Sequence, residues 1–87
     1  MAIMPAGTEP EPGAFARAVS LEVRHLLTDK SISGAQLAGM IGRSQSYISQ
    51  RLRGERSFTA NDVETICRVL EVDLLELLTA AVMRMRQ

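Results

Sequence analysis

A cluster of polar side chains in the middle of the chain has the residue types that read the edges of nucleic-acid bases. Two glutamines and two serines lie close together, at Gln45, Ser46, Ser49 and Gln50. On a helix, residues three and four positions apart share one face, so these four would lie side by side. A glutamine amide can pair with the N6 and N7 edge of adenine, and a serine hydroxyl can donate to or accept from several bases. The pattern predicts a base-reading helix face.

Residues suited to the phosphate backbone surround this cluster. Between residues 34 and 56 four arginines stand against one acid, whereas residues 57–87 have five acids and three arginines. Such a basic patch attracts nucleic acid even though the formal net charge of the chain is zero. Helix starts at two serines add backbone amides that favour an anion. The predicted phosphate-binding set is Ser33, Arg43, Ser44, Tyr47, Arg51, Arg53 and Arg56.

Capping signals place these side chains on a pair of short helices. Ser33 has the spacing of a capping box with the glutamine three residues later, and Gly42 ends the helix that it begins. Ser44 can cap a second helix, predicted over residues 45–53 and stopped by Gly54. Two short helices joined by a tight turn at a glycine form the outline of a helix-turn-helix.

Three further helices complete the predicted fold. One precedes the pair over residues 14–29, where apolar residues recur at steps of three and four. Two follow it, and each opens with the spacing of a capping box, at Thr59 with Asp62 and at Asp73 with Glu76. No segment alternates as a strand does, so the sequence predicts an all-α, compact five-helix domain.

The domain is predicted to occupy residues 14–87. Residues 1–13 contain all three prolines and little that can be buried, which predicts a disordered N-terminal tail. No apolar run is long enough to cross a bilayer, and the first residues lack the pattern of a signal peptide, so we expect a cytoplasmic protein of a prokaryotic cell or a phage-infected host.

The sequence of residues 37–49, LAGMIGRSQSYIS, resembles the helix-turn-helix of the lambda Cro and repressor family. The resemblance continues through residues 52–54 and 63–78, and in all it extends from residue 23 to about residue 80. It implies a lambda-repressor-like fold in which the helix over residues 45–53 is the recognition helix and lies in the major groove of DNA.

Two residues depart from the pattern of that family. Arg43 follows the turn glycine, where a small hydrophobe is usual, and Arg51 stands where many members have an apolar side chain. We expect Leu52 to take over part of the packing, while the two arginine heads reach toward the DNA backbone. Tyr47 is compatible with a phosphate contact and equally with resting on a neighbouring helix.

Several other residues have structural reasons for their type. Ala38 must be small where the two helices of the motif cross, Gly42 permits a positive backbone angle in the turn, and Ile48 fills the shared core. Cys67 shares a helical stripe with apolar residues and is predicted to be a small core side chain. With one cysteine and His25 as the single histidine, the sequence predicts no metal and no cofactor, and it has no arrangement typical of an enzyme.

The last helix has more apolar surface than one core contact needs. A two-fold homodimer would cover it and would set two recognition helices about 34 Å apart, one turn of DNA. The alternative is that these side chains only close the core of the single chain. The predicted dimer or partner interface consists of Leu74, Leu77, Leu78, Val82 and Met83.

These patterns predict a sequence-specific transcriptional regulator, a phage-type or prokaryotic repressor that binds double-stranded operator DNA. A second hypothesis is a protein-interaction module of the same fold, which would use the apolar last helix to hold a protein partner as an antitoxin holds a toxin. An architectural binder that is indifferent to sequence is a third, but its charge should be more positive than zero.

Overall fold

The computed structural model describes residues 10–87 and contains five helices there. They are α1 (Ala14–Asp29), α2 (Gly34–Ile41), α3 (Gln45–Leu52), α4 (Ala60–Leu70) and α5 (Leu74–Met85). No strand occurs within residues 10–87, so the predicted all-α class is confirmed. The third helix ends one residue earlier than predicted, with Arg53 as its cap. Residues 1–9, most of the predicted tail, lie outside the described residues.

Local hydrogen bonds set the ends of α2 and α3, as the sequence predicts. The amide of Gln36 donates to Ser33 Oγ at 3.0 Å, and the amide of Ser33 donates to Gln36 Oε1 at 2.8 Å. Gly42 ends α2 in the left-handed region at φ +71°, which only glycine adopts without strain. Ser44 then accepts from the amide of Tyr47 at 3.0 Å. Because Gly42 ends α2 and Ser44 caps α3 only two residues later, the turn between the helices is tight.

Side chains also cap the starts of α4 and α5. Thr59 Oγ1 accepts from the amide of Asp62 at 3.0 Å, and the Asp62 carboxylate accepts from the amide of Thr59 at 3.1 Å, which completes the predicted box. At α5 the carboxylate of Asp73 accepts from the amide of Glu76 at 2.9 Å, so the predicted cap forms there but the reciprocal bond of the predicted box does not.

The core forms where α1 packs on α5 and where α2 packs on α3 and α4. Its largest fully buried side chains are Leu37, Ile48, Ile66 and Val23. Ala38, predicted to be small for a close helix crossing, is only 2% exposed. Cys67 is buried in the same core, as predicted, and burial together with the charge of Asp73 raises the pKa of its thiol.

The apolar residues of α5 point in different directions, which corrects the predicted interface. Leu77 is 3% exposed and packs in the core, so its placement in a partner interface was wrong. Leu74 and Leu78 line an apolar groove of 390 Å³ beside Phe15 of α1. Met83 is exposed but follows Leu74 by nine residues, about half a turn around the axis, and therefore lies on the opposite side of α5. Among the helices of the described part of the chain, none combines the length and apolar content needed to cross a membrane.

Candidate nucleic-acid interface

The second helix of the pair, α3, presents a polar face near its N-terminus. Gln45 and Ser46 are exposed, and Ser49 and Gln50 are partly exposed one turn later. The same helix directs Ile48 inward, where it is 0% exposed. A buried Ile48 sets the rotation of the helix, so the four predicted base-reading side chains come together on accessible surface.

A groove of 310 Å³ runs beside this face, between α3, α1 and the first turn of α2. Gln45 and Ser49 line it from α3, and Arg53 lines it at the end of that helix. Gly34 lines it from α2, and a Cβ atom there would lie 3.2 Å from Leu52 Cδ1, so the absence of a side chain lets α2 and α3 approach closely.

Arg24 of α1 also lines this groove, and the sequence analysis missed it. Nothing in the pattern of the first helix distinguishes Arg24 from any other solvated cation. Only the packing of α1 against α3 brings its charge beside Gln45 and Arg53. The groove therefore has a cation from each of two helices.

Arg53 and Glu55 form an exposed ion pair at the end of α3. Arg53 Nε lies 2.5 Å from Glu55 Oε2, and the guanidinium also donates to Ser49 Oγ. The hydrogen bond from Arg53 lowers the pKa of the Glu55 carboxyl. Solvent screens such a pair, so it contributes little to stability and leaves Arg53 able to exchange partners. Arg56, in the following loop, is exposed.

A buried carboxylate ties the helix pair to α4. Asp62 is 3% exposed, and its carboxylate accepts a hydrogen bond from the hydroxyl of Tyr47 at 2.5 Å. Its other oxygen accepts from Arg43 Nε at 3.3 Å and from Arg43 Nη2 at 3.2 Å. Together with the amide of Thr59, these donors satisfy the carboxylate from three separate segments of the chain.

The ring of Tyr47 lies between two arginines, which corrects two of the predicted phosphate contacts. The guanidinium carbons of Arg43 and Arg51 are 4.4 Å and 3.4 Å from its centroid. Arg51 is 7% exposed and donates to the carbonyl oxygen of Tyr47 at 3.2 Å, so the prediction that it reaches the DNA backbone was wrong. Arg51 therefore points inward, as the apolar side chain usual at this position of the resembled family would. Tyr47 packs against α4, and its hydroxyl donates to Asp62. Because a hydroxyl has one proton to donate, Tyr47 does not offer it to a phosphate.

Electrostatics keep this cluster in one protonation state. Burial raises the pKa of Asp62, but hydrogen bonds from Tyr47 and Thr59 and the charge of Arg43 outweigh it, and the net pKa is lowered. Burial and the Asp62 carboxylate raise the pKa of Tyr47 against the opposing charges of the two arginines. Tyr47 therefore remains a donor and Asp62 an acceptor at neutral pH.

Acid should weaken this cluster. A lowered pKa means that the folded chain binds the Asp62 proton less tightly than the unfolded chain does. The free energy of unfolding therefore falls as the pH drops below about 3.9, the ordinary pKa of aspartate, toward the lower folded value. Denaturant unfolding between about pH 5 and about pH 2 measures this loss.

Asp62→Asn isolates the contribution of this one carboxylate, because the amide oxygen can still accept from Thr59. We expect the variant to be less stable than the natural protein near pH 5 and to lose less stability on acidification. Parallel pH profiles for the two proteins would show that other carboxylates account for the acid sensitivity.

The two capped helices α2 and α3 are joined by a tight turn at a left-handed glycine, and this arrangement defines a helix-turn-helix protein. The exposed polar face of α3 and the basic groove beside it are typical of that class. The chain belongs to this class by sequence as well, since the profile of a helix-turn-helix domain family matches residues 13–80. The predicted family resemblance is thereby confirmed. No curated protein matches the chain.

Solved structures of regulators share the fold. The clp gene regulator ClgR from Corynebacterium glutamicum is 25% identical with a TM-score of 0.79, over 88% of this chain and 81% of that one. The restriction-modification controller protein C.AhdI from Aeromonas hydrophila is 25% identical with a TM-score of 0.64, over 72% and 94% of the two chains. The controller protein C.Esp1396I, at 24% identity and a TM-score of 0.73 over 84% and 99%, is similar in fold.

Proposed function

We propose that this protein is a sequence-specific DNA-binding transcriptional regulator. The observation that carries the proposal is the accessible polar face of α3, which directly follows a capped glycine turn. In this geometry the second helix enters the major groove and its N-terminal side chains meet base edges. The proposed base-reading residues are Gln45, Ser46, Ser49 and Gln50. Residues 14–87 form the proposed DNA-binding domain.

Phosphate contacts would hold α3 in the groove. The starts of α2 and α3, at the exposed caps Ser33 and Ser44, present the backbone amides of their first turns, and the helix dipole there favours an anion. Arg43, Arg53 and Arg56 have exposed positions around α3. Arg24 adds a cation from α1 on the other side of the groove. These contacts would position the protein, while the polar face of α3 would select the sequence.

Regulation of transcription is the proposed consequence of this binding. ClgR is described as a clp gene regulator and C.AhdI as a controller protein, and both share 25% identity and the fold with this chain. A protein bound at an operator that overlaps a promoter blocks transcription with no further chemistry. We therefore propose repression as the mode of action.

Selection of bound duplexes from a random DNA pool tests the proposal. The purified full chain is used, and the enriched duplex and a scrambled control are then titrated at two salt concentrations. We expect the enriched duplex to bind on the order of a thousandfold more tightly. Weak binding that ignores sequence and disappears with modest salt would overturn the proposal.

The apolar groove lined by α1, α4 and α5 supports a homodimer. Phe15 and Leu74, both 42% exposed, line it together with half-buried Leu78. Leu75, which is 72% exposed, and half-buried Val82 lie within about 100° of Leu74 around the axis of α5. A contiguous patch of exposed apolar side chains is typical of a surface that binds another protein. We propose that a second copy of the chain covers it and that the selected duplex is a palindrome.

Leu74→Glu should disrupt the dimer. A carboxylate in the apolar groove loses its hydration when the second copy binds, so sedimentation should show a monomer at concentrations where the natural chain is a dimer. Binding to a palindromic duplex should weaken by about a hundredfold, because the two half-sites are no longer linked.

Met83→Glu provides the matched control, since the same charge is placed on the opposite side of α5 and should leave the dimer intact. A natural chain that remains monomeric well above the concentrations used for DNA binding would contradict the dimer. It would direct the search to another protein partner for this groove.

A further inference from the structure

Asp62 has a role beyond capping α4. Its backbone lies in the first turn of that helix, where the reciprocal bonds with Thr59 hold it in place. The buried carboxylate is therefore a hydrogen-bond acceptor in a fixed position for donors on the adjoining helix pair. Tyr47 of α3 and Arg43 of the preceding turn both use that acceptor.

The recognition helix needs such a second anchor. α3 has 8 residues, and it packs mainly against α1 and α2. Ile48 and the partly buried Leu52 decide which side of α3 faces the core, but apolar contacts tolerate small rotations about the helix axis. Tyr47 precedes Ile48 and points in a direction about 100° away, so a bond from its hydroxyl opposes that rotation.

Small rotations matter because hydrogen-bond distances have a narrow range. A turn of roughly 20° about the axis moves an atom at a radius of about 5–6 Å by about 2 Å. Favourable distances cover only about 2.7–3.2 Å. Ser46 precedes Tyr47, and Gln50 follows it by one helical turn, so the proposed base readers would move with any rotation of this part of α3.

From this geometry we propose that Asp62 is a positioning residue for DNA recognition, acting through the hydroxyl of Tyr47 without itself touching DNA. The proposal rests on the proposed function of α3 as the base-reading helix. It assigns part of the sequence specificity to a buried residue of α4, in a different segment from the reading side chains.

Tyr47→Phe tests the proposal because it removes the hydroxyl and keeps the ring between the two arginines. We expect the affinity for the selected duplex to fall by about tenfold or more, the effect of one lost hydrogen bond to a charged group. Affinity for a scrambled duplex and the salt dependence of binding should stay unchanged, because no phosphate contact is removed. Adding Asp62→Asn to Tyr47→Phe should cost less than the sum of the two single effects.

Val69→Ala is the control for stability, because it removes part of a half-buried side chain elsewhere on α4. Binding is measured well below the melting temperatures of all variants, where Val69→Ala should bind as the natural chain does. A Tyr47→Phe variant that melts earlier but binds the selected duplex normally would overturn the positioning role. Equal losses on both duplexes would overturn it too and make Tyr47 a backbone contact.

Hydrogen exchange separates this proposal from the proposed function. Tyr47→Phe should speed the exchange of α3 amides while α1 amides exchange as before. If the natural chain shows no sequence preference, the proposed function fails, and unchanged exchange in α3 would then reject the anchoring role as well. Faster exchange confined to α3 would support the anchor independently of DNA.

Discussion

Ala38→Leu is expected to lower the free energy of unfolding by about 3 kcal/mol or more, which would leave little of the stability of a small domain. Ala38 is 2% exposed on α2, on the side that packs against the rest of the motif. The closely packed interior has no room for three extra carbon atoms, so the helices must separate or the side chain must adopt a strained rotamer. Thermal unfolding followed by circular dichroism should show a fall in Tm of more than about 10 °C.

Gly39→Leu places the same side chain at the neighbouring position, with four added carbon atoms instead of three, and serves as the control. Gly39 is exposed, and a Cβ atom built there meets nothing within 4 Å. Replacing a helical glycine should raise stability by about 0.5–1 kcal/mol through helix propensity. If Ala38→Leu melted like the natural chain, α2 could not pack as closely as the structure shows.

Replacing Gln45 and Gln50 together by alanine should abolish most of the discrimination between operator and scrambled DNA. Each well-placed amide contributes about 1–3 kcal/mol of base discrimination, so the pair is expected to account for at least about a thirtyfold preference. Both side chains are neutral, and their loss should leave the salt dependence of binding unchanged. Titration of the two duplexes at several salt concentrations measures both quantities.

Arg56→Ala provides the contrasting variant. As a proposed phosphate contact, its loss should weaken binding to both duplexes alike and reduce the slope of log affinity against log salt by about 0.9. A double glutamine variant that behaved in this uniform way would show that the polar face of α3 does not read bases.

The local elements were predictable because their signals are local. The boxes at Ser33 and Thr59 and the cap at Ser44 join residues three positions apart, so their formation depends little on the rest of the chain. The left-handed glycine at Gly42 is likewise a property of one residue and its neighbours. Helix boundaries and the outward face of α3 follow from these signals together with the burial of Ile48.

The directions of long polar side chains were not predictable in this way. Arg51 was expected to reach outward because it is charged, yet its stem follows the buried side of α3 and its head stacks on Tyr47. Asp62 gave a capping signal, but its bonds to Tyr47 and Arg43 span 15 and 19 residues of sequence. Hydrogen bonds between residues so far apart in sequence depend on where α4 packs, and no local sequence pattern predicts that packing.

The amino-acid sequence by itself determined the helix-turn-helix class, the helix ends and the four side chains on the exposed face of α3, because these depend on periodicity and on short-range hydrogen bonds. Tertiary packing alone decided that Leu77 is buried in the core while Leu74 remains exposed. It also decided that Arg24 lines the groove beside α3. The physical reason is that an amphipathic helix with a broad apolar surface has several possible core faces. Its neighbours select one, and the burial of that face decides which residues remain for a partner.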